Sequence, residues 1–264
     1  MRQETQSIES MSEPPVAQGP GSRQGDRRVT LLIYAVIAAL SLLALWPLIE
    51  SERLAGRGED AARRGDFAAA LEAWRPLAEG GDADAQFRLG VLHDRGLGTR
   101  EDPFLAVDWY RRAAEQGSHA AQVNLGLMLV QGRGVDVDEA AAAAWFDKAA
   151  AANVPEGLAN LGHLYRVGRG VERDPVRAYA LLRRAALFGN ATAALGVAQM
   201  IASGEGVEPD PVEALAWARL TAGRNGPSAE PARRLADALE AELDEAGRRA
   251  ADALGASIGR QIAR

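Results

Sequence analysis

A pattern of 36 residues first appears at 83–118 and returns three times, and it leaves few folds open. Its clearest mark is a Gly-x-Gly pair at Gly96/Gly98, Gly132/Gly134, Gly168/Gly170 and Gly204/Gly206. Other slots hold the same register. Ala106, Ala142, Ala178 and Ala214 share one, Asp102, Asp138, Asp174 and Asp210 a second, and Trp109, Trp145, Leu181 and Trp217 a third. A constant period of this length predicts stacked supersecondary units, a solenoid, in which each unit touches only its neighbours.

Each unit reads as two helices. In the first helix (A), Ala85, Leu89, Gly90 and Leu92 recur as Ala121, Leu125, Gly126 and Met128, and then as Gly157, Leu161, Gly162 and Leu164. This spacing lies along one helical face. Glycine inside a helix costs about 1 kcal/mol against alanine. Its return at Gly90, Gly126 and Gly162, with Ala198 in the fourth unit, predicts close approach of a neighbouring backbone. The Gly-x-Gly pair then ends helix A with a left-handed stop. It is no phosphate loop, since no strand pattern precedes it. The second helix (B) starts at the shared aspartate, which precedes Pro103, Pro175 and Pro211 and serves as an N-cap. Each cap accounts for its own carboxylate, and units about 10 Å apart would not gather the four around a metal. The tryptophan slot is read as core packing between layers, with a sugar-binding stripe as the alternative.

Together these slots give A-x-x-x-L-G-x-x…G-x-G-V…D-x-x-x-A-x-x-W-x-x-x-A-A-x-x-G, which resembles the Sel-1-like repeat, a relative of the tetratricopeptide repeat. The resemblance covers residues 83–226 as four units. Departures are Thr99 for valine, Asn153 and Asn225 for the closing glycine, and Leu181 for tryptophan. It implies an all-α, right-handed solenoid whose A helices line a concave groove, and a scaffold that binds a partner protein. Many bacterial members work at the cell envelope, including in regulation or assembly of exported polysaccharide.

The flanks are of other kinds. Residues 1–28 are rich in Gln, Glu, Ser, Pro and Gly without apolar period, and are expected to be disordered. Residues 29–49 run 21 residues without a charge. That length crosses a bilayer core of about 30 Å as a helix, so a single-pass transmembrane helix in contact with lipid is expected. A cleaved signal peptide is the competing reading, although no clear small-x-small site follows Leu48. Three cations lie just before the span (Arg23, Arg27, Arg28) and four just after it (Arg53, Arg57, Arg63, Arg64), so their count alone gives no orientation. The Arg27–Arg28 pair at the membrane edge favours a cytoplasmic N-terminus, with the repeats in the periplasm of a bacterial inner-membrane protein. Residues 50–82 read as linker and a partial first hairpin. Residues 227–264 read as capping helices, with a stripe of Leu235, Leu239, Leu243, Ala246, Ala250, Leu254, Ile258 and Ile262. A coiled-coil arm over 247–264 is the alternative, although Gly247, Gly255 and Gly259 interrupt it.

Chemistry is harder to find. The net charge of −6 argues against nucleic acid as the partner. There is no cysteine, which removes thiol catalysis and cysteine–zinc sites. His93, His119 and His163 share no slot and form no H-E-x-x-H, and G-x-S-x-G is absent. No catalytic residue, metal or cofactor is expected. The candidate protein-binding residues are Arg88, His93, Asp94, Asn124, Asn160, Tyr165 and Arg166 on the A helices, with Arg88, Asn124 and Asn160 in one slot. Amides at a groove can pair with a ligand's backbone, and the same amides can equally serve helix–helix contacts. The alternative is an envelope enzyme or binding protein acting on peptidoglycan or exported polysaccharide, which would need a convergent acid pair.

Overall fold

A computed structural model describes residues 48–262. The expected disordered tail lies outside these residues, as does the expected transmembrane helix apart from Leu48 and Ile49. Among the described residues no helix is long and apolar enough to cross a membrane. The chain divides into two units, Met1–Glu52 and Arg53–Arg264. Of the first, residues 48–52 are described and are helical.

The second unit is all helical among its described residues. Residues 53–63 form α1. Then follow α2 (Phe67–Glu79), α3 (Ala83–Arg95), α4 (Pro103–Glu115), α5 (His119–Gln131), α6 (Glu139–Ala151), α7 (Pro155–Val167), α8 (Pro175–Leu187), α9 (Ala191–Ser203), α10 (Pro211–Ala222), α11 (Ala229–Glu242) and α12 (Glu245–Ile262). Consecutive helices pack on each other in an unbroken series from α2 to α11, so α3, α5, α7 and α9 are the A helices and α4, α6, α8 and α10 the B helices of a solenoid.

Local chemistry sets the helix ends. Asp102, Asp138, Asp174 and Asp210 each accept a hydrogen bond from a backbone N–H in the first turn of α4, α6, α8 and α10, at 2.9–3.0 Å. Gly132 ends α5 at φ +66° and returns its N–H to Met128. The second glycine of the pair makes the close backbone approach. A Cβ on Gly134 would sit 2.2 Å from the Pro103 carbonyl oxygen, and Gly98, Gly170 and Gly206 meet the starts of α2, α6 and α8 in the same way. Each Gly-x-Gly loop therefore rests on the first turn of the preceding unit's B helix.

The mid-helix glycines correct the expectation placed on them. What crowds them is chiefly a side chain, not a neighbouring backbone. A Cβ on Gly90 would lie 2.6 Å from the Tyr110 ring, one on Gly126 2.6 Å from Phe146, and one on Gly162 2.9 Å from Leu182. These plugs belong to one buried slot that shrinks along the chain: Trp74, Tyr110, Phe146, Leu182, Ala218. Helix B thus turns position 110, rather than Trp109, toward its own A helix. Trp109 joins Trp74, Ala78 and Leu89 in the core beneath the first unit. Trp217 is wholly buried, whereas Trp145 is half-buried under the Lys148 ammonium, 3.7 Å from its centroid.

The C-terminal stripe also needs correcting. Leu243 is extended, so α11 and α12 are separate helices with separate phases. Ala246 and Ala250 face solvent, and Ala251 and Gly255 face inward in their place, whereas Ile258 is buried as expected. Gly255 lies over Ala216, where an added Cβ would be 3.7 Å from the Ala216 carbonyl oxygen. α12 therefore lies along α10 and touches α8 of its own chain, instead of standing off as an arm.

Candidate protein-binding face

Every A helix carries a row of three positions, spaced three residues apart, that stay partly exposed at all but one place. They are Arg88, Val91 and Asp94 on α3, Asn124, Leu127 and Val130 on α5, Asn160, His163 and Arg166 on α7, and Gly196, Gln199 and Ala202 on α9. All are half-buried except Gly196, which is buried. Spacing of three keeps them on one side of each helix.

Five of the seven candidate residues lie on this face. Arg88 donates to Asp84 at 2.6 Å and Glu59 at 3.2 Å, and its guanidinium covers Trp74. Asp94 takes Arg133 of the next unit at 2.8 Å and meets the Tyr110 hydroxyl at 3.5 Å. Burial, together with the Asp94 charge, raises the Tyr110 pKa far above its ordinary value, against a hydrogen bond from Asn124. Asp94 and Asn124 thus meet through Tyr110. Asn160 occupies the matching position, but its plug is Phe146, which has no hydroxyl. Among the described residues the Asn160 side chain has no partner. Arg166 donates to Glu205 at 2.8 Å and Gln199 at 3.2 Å.

The other two candidates share a slot off this face. His93 is buried with Nδ1 unpartnered, and burial lowers its pKa against the pull of Asp102. The Tyr165 ring carries the Arg177 guanidinium at 4.2 Å, to the side of α7 that meets α8. His163, not among the candidates, sits mid-face. Its Nε2 has no partner, and burial, reinforced by the Arg166 charge, lowers its pKa.

Sequence reasoning missed the partners that cross between units. Arg133 also donates to Glu101 at 2.7 Å, and Arg173 to Glu205 at 2.8 Å. The signal was present as charged residues at spacings of 39 and 32, but it is readable only once the stacking register is known. Buried polar side chains also stitch layers: Gln86 and Gln122, one period apart, donate to the carbonyls of Ala78 and Ala114 at 3.0 and 3.2 Å. Among the described residues no group of acidic or histidine side chains could hold a metal ion.

Comparison with known proteins matches this architecture. The Sel1 repeat family model matches residues 83–118, 119–154, 155–190 and 189–225. Among solved structures, a protective antigen of uropathogenic Escherichia coli strains displaying an SLR fold is 30% identical with a TM-score of 0.70. That similarity covers 74% of this chain and 42% of the antigen, so the chain spans less than half the antigen's length. A Sel1 repeat protein from Oxalobacter formigenes is 30% identical with a TM-score of 0.61, over 67% of this chain and 72% of that one. No curated protein sequence matches.

Proposed function

Because the chain belongs to the Sel1 repeat family, whose members generally bind protein partners, we propose that it is a membrane-tethered scaffold that holds a segment of a partner protein along its A-helix face. Asn160 carries the reading. Its amide lies on this face and is unpartnered among the described residues, and it offers both a donor and an acceptor to an extended backbone. Leu127 and Val130 on the preceding A helix are only partly buried and offer apolar contact on the same face. The charge-free stretch 29–49 supports a single inner-membrane anchor, with the repeats in the periplasm. An adaptor or regulator at the cell envelope is the role that combines the two.

The test is in-cell crosslinking of the tagged full-length chain followed by recovery in detergent. An envelope protein captured through residues 83–226, and lost when Arg88, Asn124 and Asn160 are replaced by alanine while the helical circular dichroism persists, is the expected result. A cytoplasmic partner on the repeats would reverse the orientation and keep the scaffold. Recovery of peptidoglycan or other glycan fragments without a specific protein would overturn it.

A further inference from the structure

Two rows along the solenoid repeat one order of chemistry. Asp94, Val130 and Arg166 share a slot at the ends of α3, α5 and α7, and Glu101, Val137 and Arg173 share a slot in the loops that follow. Both rows run acid, valine, arginine at the 36-residue period. The counter-charges are smaller in number. At the first interface Arg133 faces the two carboxylates of Asp94 and Glu101. At the third, Glu205 faces the two guanidiniums of Arg166 and Arg173. Within these ion-paired side chains the first cluster holds one carboxylate in excess and the third one guanidinium in excess. Between them Arg169 turns to Glu139, at 2.7 Å, and the slots hold only Val130 and Val137. In the loop row, Glu101, Val137 and Arg173 are all more than half exposed. The surplus charges and the central apolar side chain thus face outward along one rim.

We propose that this rim selects the partner segment by charge order: a basic residue over Glu101, an apolar one over Val137 and an acidic one over Arg173. The inference rests on the A-helix face being the binding face, and adds the chemistry of what it binds. Layers about 10 Å apart and an extended strand of about 3.3 Å per residue place the three partner residues about three apart. Complementary charges of this kind fix register and reject wrong partners more than they add affinity.

The test selects peptides from a random twelve-residue display library on the purified full-length chain in mild detergent. Enrichment of basic, apolar and acidic residues at spacings of about three, in one chain direction, is the expected result. Glu101→Gln, Val137→Ser and Arg173→Gln should each weaken an enriched peptide about two- to fivefold and erase the preference at its own position. Glu101→Asp should keep it, which separates a lost charge from a disturbed fold. Enriched peptides that depend on Asn160 but show no charge order would overturn the rim proposal and leave the groove standing. Absence of any peptide bound through the repeats would overturn both.

Discussion

Arg166 meets Glu205 at 2.8 Å across the third interface just as Asp94 meets Arg133 at 2.8 Å across the first, with the signs exchanged. Both pairs span 39 residues, so the stack uses one contact twice with opposite polarity. Glu205 is the shared acceptor of two arginines and is mostly shielded. Glu205→Gln should lower stability by about 1–2 kcal/mol, because charge-assisted bonds to two guanidiniums are lost. Glu205→Arg should cost more, and Glu205→Arg with Arg166→Asp and Arg173→Glu should recover most of the loss by recreating the first interface's polarity. Urea denaturation of the four proteins measures this.

The same carboxylate gives an acid limb. Burial alone would raise the Glu205 pKa, but the hydrogen bonds and charges of Arg166 and Arg173 outweigh it and lower it below the ordinary value. A carboxyl with a depressed folded-state pKa contributes stability in full above its unfolded value and loses it as the pH falls through the folded one. Part of the stability loss below about pH 4.3 should therefore vanish in Glu205→Gln, as read by thermal melts across acid pH.

The mid-helix glycines make a steric prediction. Gly126→Ala would add helix propensity worth about 1 kcal/mol. It would also drive a methyl to within 2.6 Å of the Phe146 ring. Overpacking of a filled core costs about 1–3 kcal/mol, so the net change should be destabilising. Phe146→Leu should relieve it in part, since the fourth unit pairs Ala198 with the small Ala218. A double-mutant cycle in urea checks the coupling.

Much of this was legible in the chain because one period repeats each signal. The Asp102–Pro103 start and the Gly132 stop need only neighbouring residues to act, and the structure carries them out as local rules demand. Tyr110 was not legible as the partner of Gly90. The two are 20 residues apart on different helices, and about 100° of rotation per residue separates Tyr110 from the more conspicuous Trp109. Ala246 and Ala250 fell on the wrong face for a related reason: the extended residue at Leu243 resets the phase, which a continuous stripe hides. On the A-helix face, Asn124 and Asn160 share a slot yet differ in freedom, because Tyr110 carries a hydroxyl and Phe146 does not.

His163 gives a prediction nearer neutrality. Burial first, then the Arg166 charge, lowers its pKa below the ordinary value. The folded protein holds the ring neutral, whereas the unfolded chain takes a proton below about pH 6.5. Stability is therefore full above that value and falls as the pH drops toward the folded-state pKa. His163→Gln should flatten this limb while keeping a polar group on the face. Melting temperatures between pH 7.5 and 5, beside a nuclear magnetic resonance titration of the ring, measure the effect.

Gly255 governs how the last helix docks. Its neighbour is the Ala216 carbonyl oxygen, 3.7 Å from where a Cβ would stand, an ordinary van der Waals distance. Gly255→Ala should therefore fit, and should stabilise α12 by about 0.5–1 kcal/mol through helix propensity. Gly255→Leu brings further atoms that have no room against α10, whose Ala216 and Trp217 are buried. It should lift α12, expose Trp217 and open a proteolytic site between α11 and α12, while α3 to α6 stay protected because each unit leans only on its neighbours. Hydrogen exchange resolved by helix reads the difference: faster exchange spreading as far as α3 in Gly255→Leu would show instead that α12 holds the whole stack.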